Sequence, residues 1–100
     1  MRLNQHTQRV IRETVAELFG ETAQVLLFGS RLDDQARGGD IDLLVKLAQT
    51  DPDAGRKQLT LVARLQRRLG DQPFDVLIIQ PGEILSGIQS VALETGVRLG

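Results

Sequence analysis

The chain has no cysteine, which removes disulfides, thiolate metal sites and cysteine nucleophiles together and fits a reducing compartment. It has little net charge, −1 over 100 residues, so there is no global basic field for gripping nucleic acid, and direct nucleic-acid binding is not expected. It has no apolar run approaching the length of a membrane span, and its first ten residues, MRLNQHTQRV, are too polar for a signal peptide. A cytoplasmic protein without membrane attachment is the expectation. There is no repeat, low-complexity segment or linker that would divide it. Its single histidine, His6, lies in a polar first turn and reads as a surface residue. What remains is 41% hydrophobic and 25% charged, the balance of an ordinary globular protein, and one domain over residues 1–100 is expected.

Periodicity gives the elements. From about Asn4 to Phe19, Val10, Ile11, Val15, Leu18 and Phe19 recur on one helical stripe, and Gly20 follows as a natural stop. A strand is predicted over Gln24–Phe28, a polar loop over Arg31–Gly39, and a second strand over Asp40–Leu47. Asp51-Pro52 reads as the start of a helix running to Leu69, with Leu59, Val62, Leu65 and Leu69 as its apolar side and Leu61 beside it. Arg56, Lys57, Arg64, Arg67 and Arg68 make that helix basic, which usually means a solvated face. A third strand, Phe74–Ile79, follows. Pro81-Gly82 then turns into a last helix over Glu83–Glu94, its buried side expected to be Ile84, Leu85, Ile88, Val91 and Ala92, and residues 97–99 form a short final strand.

The order αββαβα(β) predicts an α/β (α+β) domain, a small mixed sheet with helices mainly on one face. The first two strands are joined too tightly for a crossover and should pair antiparallel, whereas the third arrives through a helix and can lie parallel to the second. Three amphipathic helices can cover one face and leave at least part of the other open for chemistry.

The second strand carries that chemistry. Strand side chains alternate, so Asp40 and Asp42 in GGDIDLLV point to one side. Two carboxylates on a largely hydrophobic strand repel each other and resist burial unless a cation or donor cluster satisfies them. Taken alone, the D-x-D is as consistent with a structural role as with a metal site. Asp75 adds a third carboxylate at the start of a third buried strand. Three such groups suit Mg²⁺, a hard ion often completed by substrate phosphates, and two such ions can clamp an in-line displacement at phosphorus. Gly29-Ser30 closes the first strand, where a glycine lets phosphate approach the backbone while amides and the serine hydroxyl donate to it. Arg31 is placed to pair with phosphate charge.

LFGSR and DIDLLV, with nine residues between Ser30 and Asp40, together resemble the GS…DxD signature of the DNA polymerase β-like nucleotidyltransferase superfamily, specifically its minimal single-domain MNT type. FDVLII and the closing helix extend the resemblance over nearly the whole chain. It implies that Asp40 and Asp42 hold Mg²⁺ ions, that Asp75 binds the second metal and helps deprotonate the acceptor hydroxyl, and that Ser30 with the Gly29 turn binds the β- and γ-phosphates of ATP or another NTP. It also implies transfer of a nucleoside monophosphate to a hydroxyl, with pyrophosphate released. Where the family often has Ser or Thr before the first aspartate this chain has Gly39, and its loop carries Asp33-Asp34, so nucleotide preference stays open. Larger members append an acceptor-binding domain; here the acceptor is expected to come from another molecule or from a second copy. Similar minimal proteins are antitoxins that adenylylate a helical HEPN-type partner. The alternatives are an antitoxin that neutralises by binding alone, and transfer to a small hydroxylated compound of the aminoglycoside type.

Overall fold

The computed structural model describes residues 3–29 and 40–99. Seven elements follow in the order α1 (Gln5–Phe19), β1 (Gln24–Phe28), β2 (Ile41–Lys46), α2 (Ala54–Leu69), β3 (Phe74–Ile79), α3 (Gly87–Thr95) and β4 (Val97–Arg98). The four strands form one mixed sheet in the order β3-β2-β1-β4. β1 pairs antiparallel with β2 and β4, and β3 pairs parallel with β2, as the connection lengths require. No described helix is long and apolar enough to cross a membrane.

Alternation gives the sheet two different faces. Val25 and Leu27 of β1, Ile41, Leu43 and Val45 of β2, and Phe74 and Val76 of β3 point to one side, where Ile11 and Val15 of α1 and Leu61 and Leu65 of α2 complete the main core. Full burial of each such side chain stabilises the fold by about 1.5–3 kcal/mol. The other side presents three cross-strand rows: Gln24, Lys46 and Ile79; then Leu26, Leu44 and Leu77; then Phe28, Asp42 and Asp75. α3 covers it through Ala92, with Leu85 and Leu93 partly buried against Leu26, Leu44 and Ile79. Two helices therefore share one face and the third crosses to the opposite one. The reason is compositional: the leucine row needs cover, and a helix on the first face cannot supply it.

Helix ends account for the remaining differences from the sequence expectation. Asn4 caps α1 by accepting from the Thr7 amide at 2.8 Å. Asp51 does not cap α2; its Oδ1 accepts from the Asp53 amide at 2.8 Å and shapes a turn, so α2 begins at Ala54. Leu61, not Leu59, faces the core, and Leu59 is 75% exposed. Ser86 and Gln89 form a reciprocal capping box that starts α3 at Gly87, later than the sequence pattern suggests. The same Gln89 donates to the Ile78 carbonyl at 3.1 Å, while Gln58 donates to the Val76 carbonyl. The two glutamines occupy acceptors on the outer edge of β3 and so oppose pairing with another strand.

α1 and α2 are clasped by charge. Arg68 donates to both oxygens of Glu17 at 2.8 Å and to the Thr14 hydroxyl at 2.8 Å, and Thr14 in turn donates to the Val10 carbonyl. Arg64 adds a contact to Glu17 at 3.2 Å. The predicted solvated basic face is thus partly engaged, with Lys57 on Asp51 and Arg56 on Asp53 as well. Hydrogen bonding from Arg68 holds the Glu17 carboxyl below its ordinary value, and the Lys57 ammonium does the same for Asp51. For a carboxyl with a depressed folded pKa, the stabilisation is present above the unfolded pKa and is lost as pH falls through the folded one. Glu17→Gln should therefore lower the urea midpoint at neutral pH and flatten the acid limb of a stability-versus-pH curve. Equal slopes for variant and wild type would show that the clasp contributes nothing.

Candidate active site

The acidic row lies at the end of the second face that α3 leaves uncovered. Asp42 is flanked in register by Phe28 on β1 and by Asp75 on β3, strands spaced about 4.8 Å apart. Asp40 stands two residues before Asp42, just ahead of the start of β2. Alternation brings all three carboxylates to one side of the sheet, and the register makes Asp42 and Asp75 direct neighbours.

Their charges register the crowding. Burial, then the charges of Asp75 and Asp40, raise the Asp42 carboxyl above the ordinary aspartate value. Asp40 is also raised, first by hydrogen bonding with Asp75, then by burial and by the Asp75 charge. No Lys or Arg among the described residues forms an ion pair with any of the three. Beside them opens a cavity of about 390 Å³ whose walls are Phe28, Asp42, Asp75, Val76, Leu77 and Ile88.

Gly29 closes the row. Its φ is +78°, in the left-handed region that glycine occupies at least cost. A Cβ built there would overlap the Oδ2 of Asp42 and stand 3.1 Å from its Cγ. The space that a side chain at position 29 would fill is taken by the Asp42 carboxylate.

Compared with known families, residues 9–97 match the model of the nucleotidyltransferase domain. The chain belongs to that family. This nucleotidyltransferase domain is a transferase of phosphorus-containing groups, and its class of reaction is the movement of a nucleoside monophosphate. A search of curated proteins returns no significant match.

Nucleotidyltransferase domains typically use a nucleoside triphosphate and a divalent metal. As they stand, no group of three or more His, Cys, Asp or Glu among the described residues is arranged to hold a metal ion. The donor chemistry nevertheless fits one: three carboxylates offer hard oxygen ligands, and their mutual repulsion is what a divalent cation relieves. Ser30 and Arg31, read from the sequence as phosphate ligands, lie outside the described residues. Of the six site residues named from the sequence, Asp40, Asp42, Asp75 and Gly29 of the nucleotidyltransferase domain are brought together.

Two features of the site escaped the sequence reading. Phe28 and Ile88 wall the cavity, and neither residue carries chemistry that would single it out. Phe28 had a signal in its place immediately before Gly29, at a position whose alternation matches Leu26 rather than Leu27. Ile88 had none, because its pattern suits a buried helix side equally well.

Proposed function

We propose that the protein is a Mg²⁺-dependent nucleotidyltransferase that moves AMP from ATP to a hydroxyl on a partner protein, as the antitoxin of a HEPN/MNT pair. The observation that carries the reading is the row of Asp42 and Asp75, with Asp40 beside it, facing an apolar-walled cavity at the open end of the sheet.

Asp40, Asp42 and Asp75 would hold Mg²⁺, which supplies charge neutralisation at the triphosphate and at the developing negative charge on the reacting oxygens. The acceptor oxygen forms a bond to the α-phosphorus, and the bond from that phosphorus to the bridging oxygen breaks. Pyrophosphate leaves with the bridging oxygen. Asp75, the most exposed of the three carboxylates, takes the hydroxyl proton. Gly29 leaves the Asp42 carboxylate its place, and Phe28, Leu77 and Ile88 give the cavity beside it apolar walls. Catalysis in such a site comes from positioning and charge rather than a covalent enzyme intermediate.

The test is label transfer. With α-labelled ATP, Mg²⁺ and an extract of the source cells, label should become covalently attached to a polypeptide and should stay off it when Mg²⁺ is chelated. Label found only in free AMP or in a small hydroxylated compound would defeat the protein-acceptor reading. The antitoxin role predicts that wild-type protein, and not Asp42→Asn, relieves growth inhibition by a co-expressed HEPN-type partner.

A further inference from the structure

The segment from Ile84 to Leu93, which leads into α3 and forms most of it, is apolar on both sides. It gives Ala92, with Leu85 and Leu93 beside it, to the sheet, yet Ile84, Ile88 and Val91 are 97%, 60% and 58% exposed. Ile88 and Val91, three residues apart, share one side of α3, and with Ile84, in the non-helical entry before Ser86, they make up the exposed apolar stripe of this segment. Single exposed apolar residues need no explanation, whereas a row of three large ones does. Ile88 is also a wall of the cavity that contains Asp42 and Asp75. A body seated on the stripe therefore reaches the rim of the site.

The segment that carries the stripe has charge of one sign. Between Leu69 and Val97 the chain carries Asp71, Asp75, Glu83 and Glu94 and no Lys, Arg or His. Glu83 and Glu94 are exposed near the two ends of the stripe. A second copy docking by the same face would set acid against acid, and a negatively charged partner would be repelled likewise. The complement of this surface is a set of apolar side chains flanked by basic ones, which an amphipathic helix provides.

We infer that the Ile84–Ile88–Val91 stripe is the docking surface for the protein acceptor, and that the acceptor meets it with an apolar helix face flanked by Lys or Arg. The inference rests on the protein-acceptor reading above and adds to it the place and the chemistry of recognition. Docking there brings a hydroxyl on the partner to the Asp42 and Asp75 end of the sheet.

Two measurements test it, with Ile84→Asp/Val91→Asp as the variant; both positions are exposed and outside the cavity walls, and circular dichroism should show the fold retained. The first uses a synthetic helix of about 18 residues with a leucine stripe flanked by lysines, and a counterpart with glutamates. The lysine peptide should bind wild type in fluorescence anisotropy, the variant should bind it about tenfold more weakly or worse, and the glutamate peptide should not bind. Equal binding of both peptides, or binding unchanged in the variant, overturns the inference. In the second, the variant should lose about tenfold or more of the label transferred to polypeptide from α-labelled ATP, while its thermal shift with Mg²⁺ and ATP matches wild type. Undiminished transfer overturns the docking surface. Failure of the acceptor reading looks different: wild type would bind the lysine peptide yet label no polypeptide. A wild-type dimer in sedimentation that Ile84→Asp dissociates would assign the stripe to a second copy and overturn the inference as well.

Discussion

Asp42→Asn should abolish nucleotidyl transfer and, in metal-free buffer, raise the thermal midpoint. The two effects have one cause. Asp42 sits on a central strand between Phe28 and Asp75, where burial and two neighbouring carboxylates raise its pKa. An acid whose folded pKa lies above its unfolded value of 3.8 binds more protons folded than unfolded across that interval, so stability falls as pH rises through it. Above the folded pKa the whole penalty is present. Asparagine keeps the shape and removes the charge, so the variant should melt higher and lose that part of the slope. Activity moves the other way: a missing carboxylate in a charge-neutralising site should cost at least about a hundredfold in rate.

Metal linkage supplies the control. Mg²⁺ with ATP should stabilise wild type by about 2.7 kcal/mol at one hundred times the dissociation constant, and should move Asp42→Asn far less. If the variant melts at or below wild type without metal, the carboxylates do not repel as their surroundings require. If Mg²⁺ and ATP leave the wild-type midpoint unchanged, the acidic row is not a working site. A substitution that gains stability while losing function is what a site held together against its own charge predicts.

The acidic row was legible in the sequence because a strand's period of two admits one solution once its ends are found. β1 and β3 fall at the residues predicted for them, since each is a short apolar run bounded by glycine, proline or polar residues. The parallel pairing of β2 with β3 followed from the intervening helix, and with it the neighbourhood of Asp42 and Asp75. What could not be read was how much of each apolar pattern is covered. Ile84, Ile88 and Val91 were expected on the buried side of the last helix with Ala92, but only Ala92 is buried. Periodicity identifies an apolar stripe without saying whether the protein itself supplies a surface to meet it. Leu59 and Leu61 exchanged places for the same reason. The assignment of α3 to the opposite face likewise depends on which rows α1 and α2 leave bare, and that is decided only when the sheet is assembled.

Gly29→Ala should leave a folded protein with the metal response and the transfer activity largely lost. The sequence assigns this glycine to close approach of phosphate. The structure adds a second requirement inside the protein, because the volume of an alanine methyl overlaps Asp42 Oδ2. Two costs follow from one carbon. At φ +78° an L-residue is strained by about 1–2 kcal/mol, and the Asp42 carboxylate must also turn away, toward the charges of Asp75 and Asp40 or out of the row. A double-mutant cycle read in stability separates these. In the Asp42→Ala background no carboxylate remains to be displaced and the nearest atom left is the Asp42 Cβ, 3.3 Å away, so Gly29→Ala should cost only the backbone strain. In wild type it should cost more, and the difference is the coupling between the two positions. Additive effects would mean that Gly29 serves the backbone alone and that Asp42 is held in place by something else.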